Sequence, residues 1–214
     1  MEEAGQLFYF DKSLNRAIIG TDEAGRGPGA GGVFAAAVHF EAISDALIKD
    51  LAILNDSKKL TEKKRESIYE IIKNNTFNKI VCVEVEEIER INILNASLKA
   101  MKQACNAVYL SVSENNPLTL VDGNKLIKDY IYPQEYLIKG DAKSASIAAA
   151  SILAKVTRDR YMKKLHEEYP MYGWDKNAGY LTKKHLEAID KYGTTPYHRL
   201  SFLKKHFDKA KLEM

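Results

Sequence analysis

Ala17-Ile18-Ile19-Gly20-Thr21-Asp22-Glu23-Ala24-Gly25-Arg26-Gly27-Pro28 is the stretch whose reading decides this chain. An apolar run leads into two adjacent acids, and a glycine-rich turn built around one cation follows. A second apolar run, Val33-Phe34-Ala35-Ala36-Ala37-Val38, carries the chain away. Residues 17–21 are expected to form a strand that ends at the acids. Residues 31–40 are expected as its hairpin partner, apolar at nearly every position and so covered on both faces. Acids at the tip of a buried strand, beside flexible backbone and an arginine, suggest a site that handles metal and phosphate.

Downstream the pattern alternates. A short helix is expected over 44–52, followed by the polar loop Asn55-Asp56-Ser57-Lys58-Lys59-Leu60. Thr61 is a good N-cap for a helix with Ile68, Ile71 and Ile72 on one face. A third strand is expected over 79–85. A longer helix should begin near Asn95, with Leu98, Met101, Cys105, Val108 and Val112 in one stripe. Leu118 to Val121 reads as a strand ending at Asp122-Gly123, and 136–138 as another ending at Lys139-Gly140-Asp141. Residues 144–168 read as a strong helix whose first half, SASIAAASILAK, is small enough to lie close against a sheet. Past Pro170, tyrosines and Trp174 mix with Lys and His, with helices expected over 182–191 and from Phe202 onward. Strands first, then helices and strands in alternation, argue for an α/β fold with a mixed sheet.

The 214 residues, 45% hydrophobic and 29% charged, can bury a real core. No apolar run approaches the ~20 residues of a membrane helix. The start, MEEAGQLFYFDK, has no charged-then-apolar leader, so a cytoplasmic location is expected. Two scattered cysteines, Cys82 and Cys105, make no metal motif and read as buried apolar residues. The net charge is only +3. Its distribution says more: Lys58, Lys59, Lys63, Lys64 and Arg65 form one cluster, and Arg199, Lys204, Lys205, Lys209 and Lys211 another. Singly these read as solvated helix faces; with an acidic site they fit a protein that touches a polyanion.

Asp22, Glu23, Asp122 and Asp141 each lie at or just past the end of an apolar segment. If the strands are neighbours, these carboxylates converge and call for a cation. Oxygen donors without His or Cys select a hard ion, Mg²⁺ or Mn²⁺. Two such ions about 4 Å apart stabilise the attacking and leaving oxygens of a phosphodiester displacement. Taken singly, Asp122-Gly123 is also an ordinary turn and Asp141 also an ordinary N-cap. Asp159, between Arg158 and Arg160, is a rival fourth acid, although a mid-helix ion pair explains it as well.

Several motifs together resemble bacterial ribonuclease HII: Thr21 through Pro28, the Asn55 to Leu60 loop, Val121-Asp122-Gly123, Lys139-Gly140-Asp141 with the helix after it, Tyr169-Pro170 through Gly179-Tyr180, and GTTPYHRLSF from Gly193 to Phe202. They run in the family's order from about Ile18 to Phe202. The resemblance implies an RNase H-like fold over 1–168, with a C-terminal helical segment, 169–214, that contributes to substrate binding. It implies endonucleolytic cleavage of RNA in RNA–DNA hybrids and on the 5′ side of single ribonucleotides in duplex DNA, leaving 3′-hydroxyl and 5′-phosphate ends. It places metal-binding carboxylates at Asp22, Glu23, Asp122 and Asp141, for two divalent ions, and so prefers Asp141 to Asp159. It gives Gly25-Arg26-Gly27 the role of sensing the 2′-hydroxyl, and Tyr180 that of stacking on the following deoxyribose. Lys58 is taken as a further substrate contact.

Two stretches depart from the family pattern. Gly29-Ala30-Gly31-Gly32 stands where leucine-alanine-glycine-proline is usual, which is expected to loosen the turn. Asn177-Ala178-Gly179-Tyr180-Leu181-Thr182 lacks the usual lysine and the glycine after tyrosine, so Leu181 is expected to bear on the tyrosine. Two rivals are a ribonuclease HIII, which should carry lysine at the Arg26 position and an extra N-terminal domain, and a non-catalytic hybrid-binding module. A monomer is expected. A replication-clamp contact through Phe202-Leu203 and Phe207 competes with a simple core-packing role for that helix.

Overall fold

The computed structural model describes residues 3–55, 57, 60–113 and 116–212, without the side chains of residues 3 and 209–212. Asp56, Lys58 and Lys59 therefore lie outside the described residues.

The sheet grows outward from the two runs that flank the glycine-rich turn. Strand β1 (Ile18–Ala24) pairs antiparallel with β2 (Val33–His39), and β2 with β3 (Phe77–Val83). On its other side β1 pairs parallel with β4 (Leu118–Asp122), and β4 with β5 (Gln134–Leu137). The order β3-β2-β1-β4-β5 makes a mixed sheet with β1 at its centre. Every residue of β2 is buried, as an unbroken apolar strand requires.

Helix α1 (Glu3–Ser13) opens the chain. After β2 come α2 (Asp45–Asp50) and α3 (Glu62–Asn74), and after β3 come α4 (Val85–Ile91) and α5 (Ile93–Val112). The sequence reading did not anticipate α1 or α4. The Val81, Val83, Val85 spacing reads as alternation continued to residue 85, but β3 stops at Val83, and Glu84 is the N-cap of α4. Helix α6 (Ala145–Glu168) then crosses the sheet. The C-terminal helices are α7 (Trp174–Asn177), α8 (Lys183–Tyr192) and α9 (Leu200–Leu212).

The two faces are covered by different helices. Ile19, Ala35 and Ala37 pack on Ala96, Ala100, Ala104 and Cys105 of α5. The opposite face meets the small-residue half of α6, so close that a Cβ at Gly20 would overlap the Ser146–Ile147 backbone. α1 seals the start of α6: Asp11 Oδ2 accepts from Ser146 N (2.8 Å) and Ser146 Oγ (2.7 Å). The second half of α6 carries another core, in which Met162 and Leu165 pack with Tyr172, Trp174, Ile189 and Leu203. Leu203 is fully buried there and Phe207 packs against the same cluster, which is the core-packing role for α9. Among the described residues no helix is long and apolar enough to cross a membrane. Cys105 is buried as expected, but Cys82 is only half-buried, its thiol donating to Glu84 Oε1.

Candidate active site

Strand β1 does not end at the acids. It runs through Asp22 and Glu23 because β2 keeps pairing to Ala24↔Phe34, whereas pairing with β4 stops at Thr21↔Val121. Asp22 and Asp122 are thus the next residues on two adjacent parallel strands. Alternation along β1 sends Gly20 and Asp22 toward α6, and Ile19, Thr21 and Glu23 toward the α5 side.

Asp22 is buried, and its carboxyl is held well above the ordinary aspartate range. Loss of hydration is the main cause; the neighbouring charges of Glu23 and Asp122 add to it. A hydrogen bond from Ser151 of α6 and one from Glu23 N (2.7 Å) act the other way. Asp122 Oδ1 accepts from Gly140 N at 2.7 Å, which holds the short turn Gly140–Ala142 against the end of β4. Asp141 is buried in that turn. It does not cap α6: Ser144 does, accepting from Ile147 N.

One cleft of about 790 Å³ is lined by Asp22, Glu23, Gly25, Arg26, Gly27 and Tyr180, together with Ser57, Arg65, Ser151, Lys155 and Arg158. A larger one, about 940 Å³, lies at the other end of β1 around Ile18 and His39 and holds none of the candidate residues. Gly25 takes φ +102°, a conformation open to glycine at little cost. The Tyr180 ring stands over Gly27, 3.3 Å from where a Cβ would sit, and is half exposed. Arg26 rests on Glu23, Nη1 to Oε1 3.2 Å, with its side chain 51% exposed. Lys58 lies outside the described residues, and Asp122 and Asp141 stand outside this cleft's lining.

Residues to which the sequence assigns no role, or a different one, hold the site together. Ser57 Oγ and Ser151 Oγ share a hydrogen bond (2.8 Å), tying the polar loop to α6 beside Asp22. Arg65 donates to Ser57 O and Leu60 O, so it anchors that loop rather than offering itself to a polyanion. Arg199 was also read as surface charge and is fully buried. Asp159 pairs with Lys155 (2.6 Å) and Arg65 (3.4 Å), not with its arginine neighbours. The Gly29 to Gly32 run, expected to be loose, is bonded along its length. Gly29 N donates to Gly179 O and Gly31 N to Tyr197 O. The carbonyls of Gly29, Ala30, Gly31 and Gly32 all accept bonds.

Residues 19–209 match the family model for ribonuclease HII. The chain belongs to the ribonuclease HII family. A ribonuclease HII of Fusobacterium nucleatum is 52% identical over 200 residues, 93% of this chain and 91% of that protein. One from Bacteroides thetaiotaomicron is 51% identical over 199 residues, 92% and 93% of the two chains. The solved ribonuclease H2 of Pyrococcus horikoshii superposes with a TM-score of 0.66 at 27% identity, covering 86% of this chain and 93% of that one. The fold is RNase H-like, and the protein is a ribonuclease H, a hydrolase of phosphodiester bonds.

Among the described residues no three ligating side chains are grouped closely enough to hold a metal ion as they stand. The donor set nonetheless fits one. It is oxygen-only, and the Asp22 carboxyl, pushed up by burial first, is pushed further by two carboxylate neighbours whose charge a hard cation would neutralise.

Proposed function

We propose that this enzyme cuts the RNA strand of RNA–DNA hybrids, and cuts duplex DNA on the 5′ side of a single embedded ribonucleotide. One observation carries the reading: Asp22 and Glu23 share a cleft with the Gly25–Gly27 turn and with Tyr180, whose ring stands over Gly27. Phosphate chemistry and sugar inspection are therefore adjacent.

In this reading Asp22, Glu23, Asp122 and Asp141 hold two divalent ions, Mg²⁺ or Mn²⁺. Bound there, they supply Lewis-acid activation of water and charge stabilisation on the phosphate. Gly25 and Gly27 let backbone approach the sugar closely enough to read its 2′-hydroxyl, the group that separates RNA from DNA. Tyr180 packs on the next sugar, where an added hydroxyl would clash. Arg26 leaves Glu23 for a phosphate oxygen, and Lys58 and the 169–214 segment add sequence-independent backbone contacts. Water adds across the P–O3′ bond, so one product ends in 3′-hydroxyl and the other in 5′-phosphate. The enzyme acts as a cytoplasmic monomer. The burial of Leu203 favours a structural α9 over a clamp contact through that residue.

The test is a duplex DNA carrying one ribonucleotide, incubated with the protein and Mg²⁺. A single cut 5′ to the ribonucleotide, with a 5′-phosphate on the downstream fragment, is expected. Cleavage on its 3′ side, or a 2′,3′-cyclic phosphate product, would refute the reading.

A further inference from the structure

The turn proposed to read the sugar and the loop that carries Tyr180 are far apart in sequence, yet both are tied to one buried side chain. Arg158, on α6, is 1% exposed. Its Nε donates to Gly32 O (3.2 Å) and its Nη2 to Ala30 O (3.0 Å), both in the turn. Its Nη1 donates to Ala178 O (2.9 Å), two residues before Tyr180. Its stem also backs Gly25, where a Cβ would overlap Arg158 Nε. A second buried arginine, Arg199, bonds Gly31 O through Nε and Nη2 and Arg26 O through Nη1.

All six of these bonds end on carbonyl oxygens, and among the described residues neither guanidinium has a carboxylate within ion-pair distance. A carboxylate partner would cancel the charge. Carbonyl dipoles satisfy the donors and leave net positive charge behind a turn that must receive a phosphate backbone. The planar fork also fixes its acceptors relative to one another, which an ammonium does not.

The interface that Arg158 spans is close-packed, against backbone at Gly179 and against the Leu181 side chain at Gly29. Gly29 N donates to Gly179 O at 3.0 Å. A Cβ at Gly179 would come within 2.6 Å of Ala30 O, and one at Gly29 within 2.6 Å of Leu181 Cδ2. These contacts join the turn to the loop directly, whereas the other bonds of Tyr180 run to Asn177, Thr182 and His185 and not to the turn.

We infer that Arg158 is a positioning residue for sugar discrimination: its guanidinium fixes the spacing between the Gly25–Gly32 turn and the Tyr180 ring. This rests on the roles proposed above for the turn and Tyr180. Widening the gap should weaken recognition of a lone ribonucleotide more than it weakens hydrolysis. On a continuous hybrid, where every sugar in the cut strand carries a 2′-hydroxyl, a displaced ring excludes less and costs less.

The experiment compares wild type, Arg158→Lys and Gly29→Ala on two substrates in Mg²⁺: a duplex with one ribonucleotide and a continuous hybrid of the same sequence. The quantity read is the ratio of their kcat/KM values, with thermal melts to establish folding. Arg158→Lys should lower the ratio about tenfold or more. Gly29→Ala leaves the buried charge in place and wedges the interface with one methyl group; it should lower the ratio severalfold. Adding Leu181→Ala to Gly29→Ala removes the overlap and should restore the ratio. Equal losses on both substrates, or a Gly29→Ala ratio that stays at wild type or is not restored, would overturn the inference. If Arg158→Lys does not fold, the Gly29 pair decides alone. If wild type itself fails to cut beside a single ribonucleotide, it is the proposed function that fails.

Discussion

The two halves of the cleft are built by different means. On the acidic side, backbone pairing does the placing: the offset between β1–β2 and β1–β4 pairing leaves Asp22 beside Asp122, and Gly140 N fastens the Asp141 turn to Asp122. On the side proposed to read the sugar there is no extended ladder, only the single antiparallel bridge between Ala30 and His198. The turn is held by guanidinium-to-carbonyl bonds and by three backbone bonds to Gly179, Tyr197 and Arg199, and the Tyr180 carbonyl is bonded by His185, itself bonded to the buried His198. Strand register positions groups through many weak, redundant bonds, so the acids should tolerate distant change. The other half depends on a few buried donors, each of which matters.

The largest expected effect breaks the acidic half at its chemistry. Asp22→Asn keeps shape and register but removes the central negative charge. Cleavage should fall by about 10³-fold or more, the several kcal/mol that charge stabilisation by bound metal supplies. Binding to a hybrid duplex, measured by fluorescence anisotropy, should persist. Normal cutting by this variant in Mg²⁺ would remove Asp22 from the site.

Much of the acidic half is legible in the sequence. The apolar run that stops at Asp122-Gly123 announces a strand end, the run before Asp22-Glu23 announces a strand that in fact continues through the acids, and the small residues of 144–155 announce a helix close to the sheet, which Gly20 permits. The sugar-reading half is not legible in this way. Arg158 and Arg199 look like surface charge, because nothing local shows that a helix face turns inward to meet carbonyls far away in sequence. Ser57 and Ser151 are equally silent, being two small polar residues that matter only once α6 lies beside the loop. The Gly29–Gly32 run looks loose because its partners come from α6 and from 179–199. Helix α1 is silent because its contribution, Asp11 accepting from Ser146 in the first turn of α6, is made 135 residues further along the chain.

A smaller effect probes the histidine pair. Trp174 Nε1 can only donate, so His185 Nε2 accepts from it (3.1 Å) and His185 Nδ1–H donates to Tyr180 O (2.9 Å). His198 Nδ1 accepts from Thr195 N (2.9 Å), which leaves its Nε2–H to donate to His185 Nε2 (3.1 Å). A proton added to His185 Nε2 would point at two donors, and one added to His198 Nδ1 would face the Thr195 N–H, with only the Thr195 hydroxyl (3.0 Å) able to turn and accept it. Burial, with His185 opposite, accordingly drops the His198 pKa from near 6.5 to about 4. A base whose pKa is lowered by folding binds fewer protons in the native state, so stability is intact above about 6.5 and is lost as pH falls toward about 4. The loss is at most about 1.4 kcal/mol per pH unit for one group. Between pH 7 and pH 5 the melting temperature of wild type should fall more than that of His198→Gln, by a few degrees at roughly 2–4 °C per kcal/mol. Parallel pH curves would show that the pair is not held neutral.

The smallest effect returns to Asp22 and sets the two halves against each other. Loss of hydration, with the charges of Glu23 and Asp122 beside it, makes an ionised Asp22 costly in the metal-free fold, which the bonds from Ser151 and Glu23 N only partly offset. Asp22→Asn removes that repulsion, and Asn can still accept from Ser151 and Glu23 N. In the absence of divalent ions the variant should melt higher than wild type at neutral pH by about 1 kcal/mol, roughly 2–4 °C. Adding Mg²⁺ should raise the wild-type melting temperature and narrow or reverse the difference, since a ligand that binds only the folded state stabilises it. Arg158→Lys should do the opposite at any metal concentration, because it strips buried carbonyls of their donors and relieves no repulsion. If Asp22→Asn lowers the metal-free melting temperature instead, Asp22 is a structural capping group, and the acidic half is held together by its side chains as much as the sugar-reading half is.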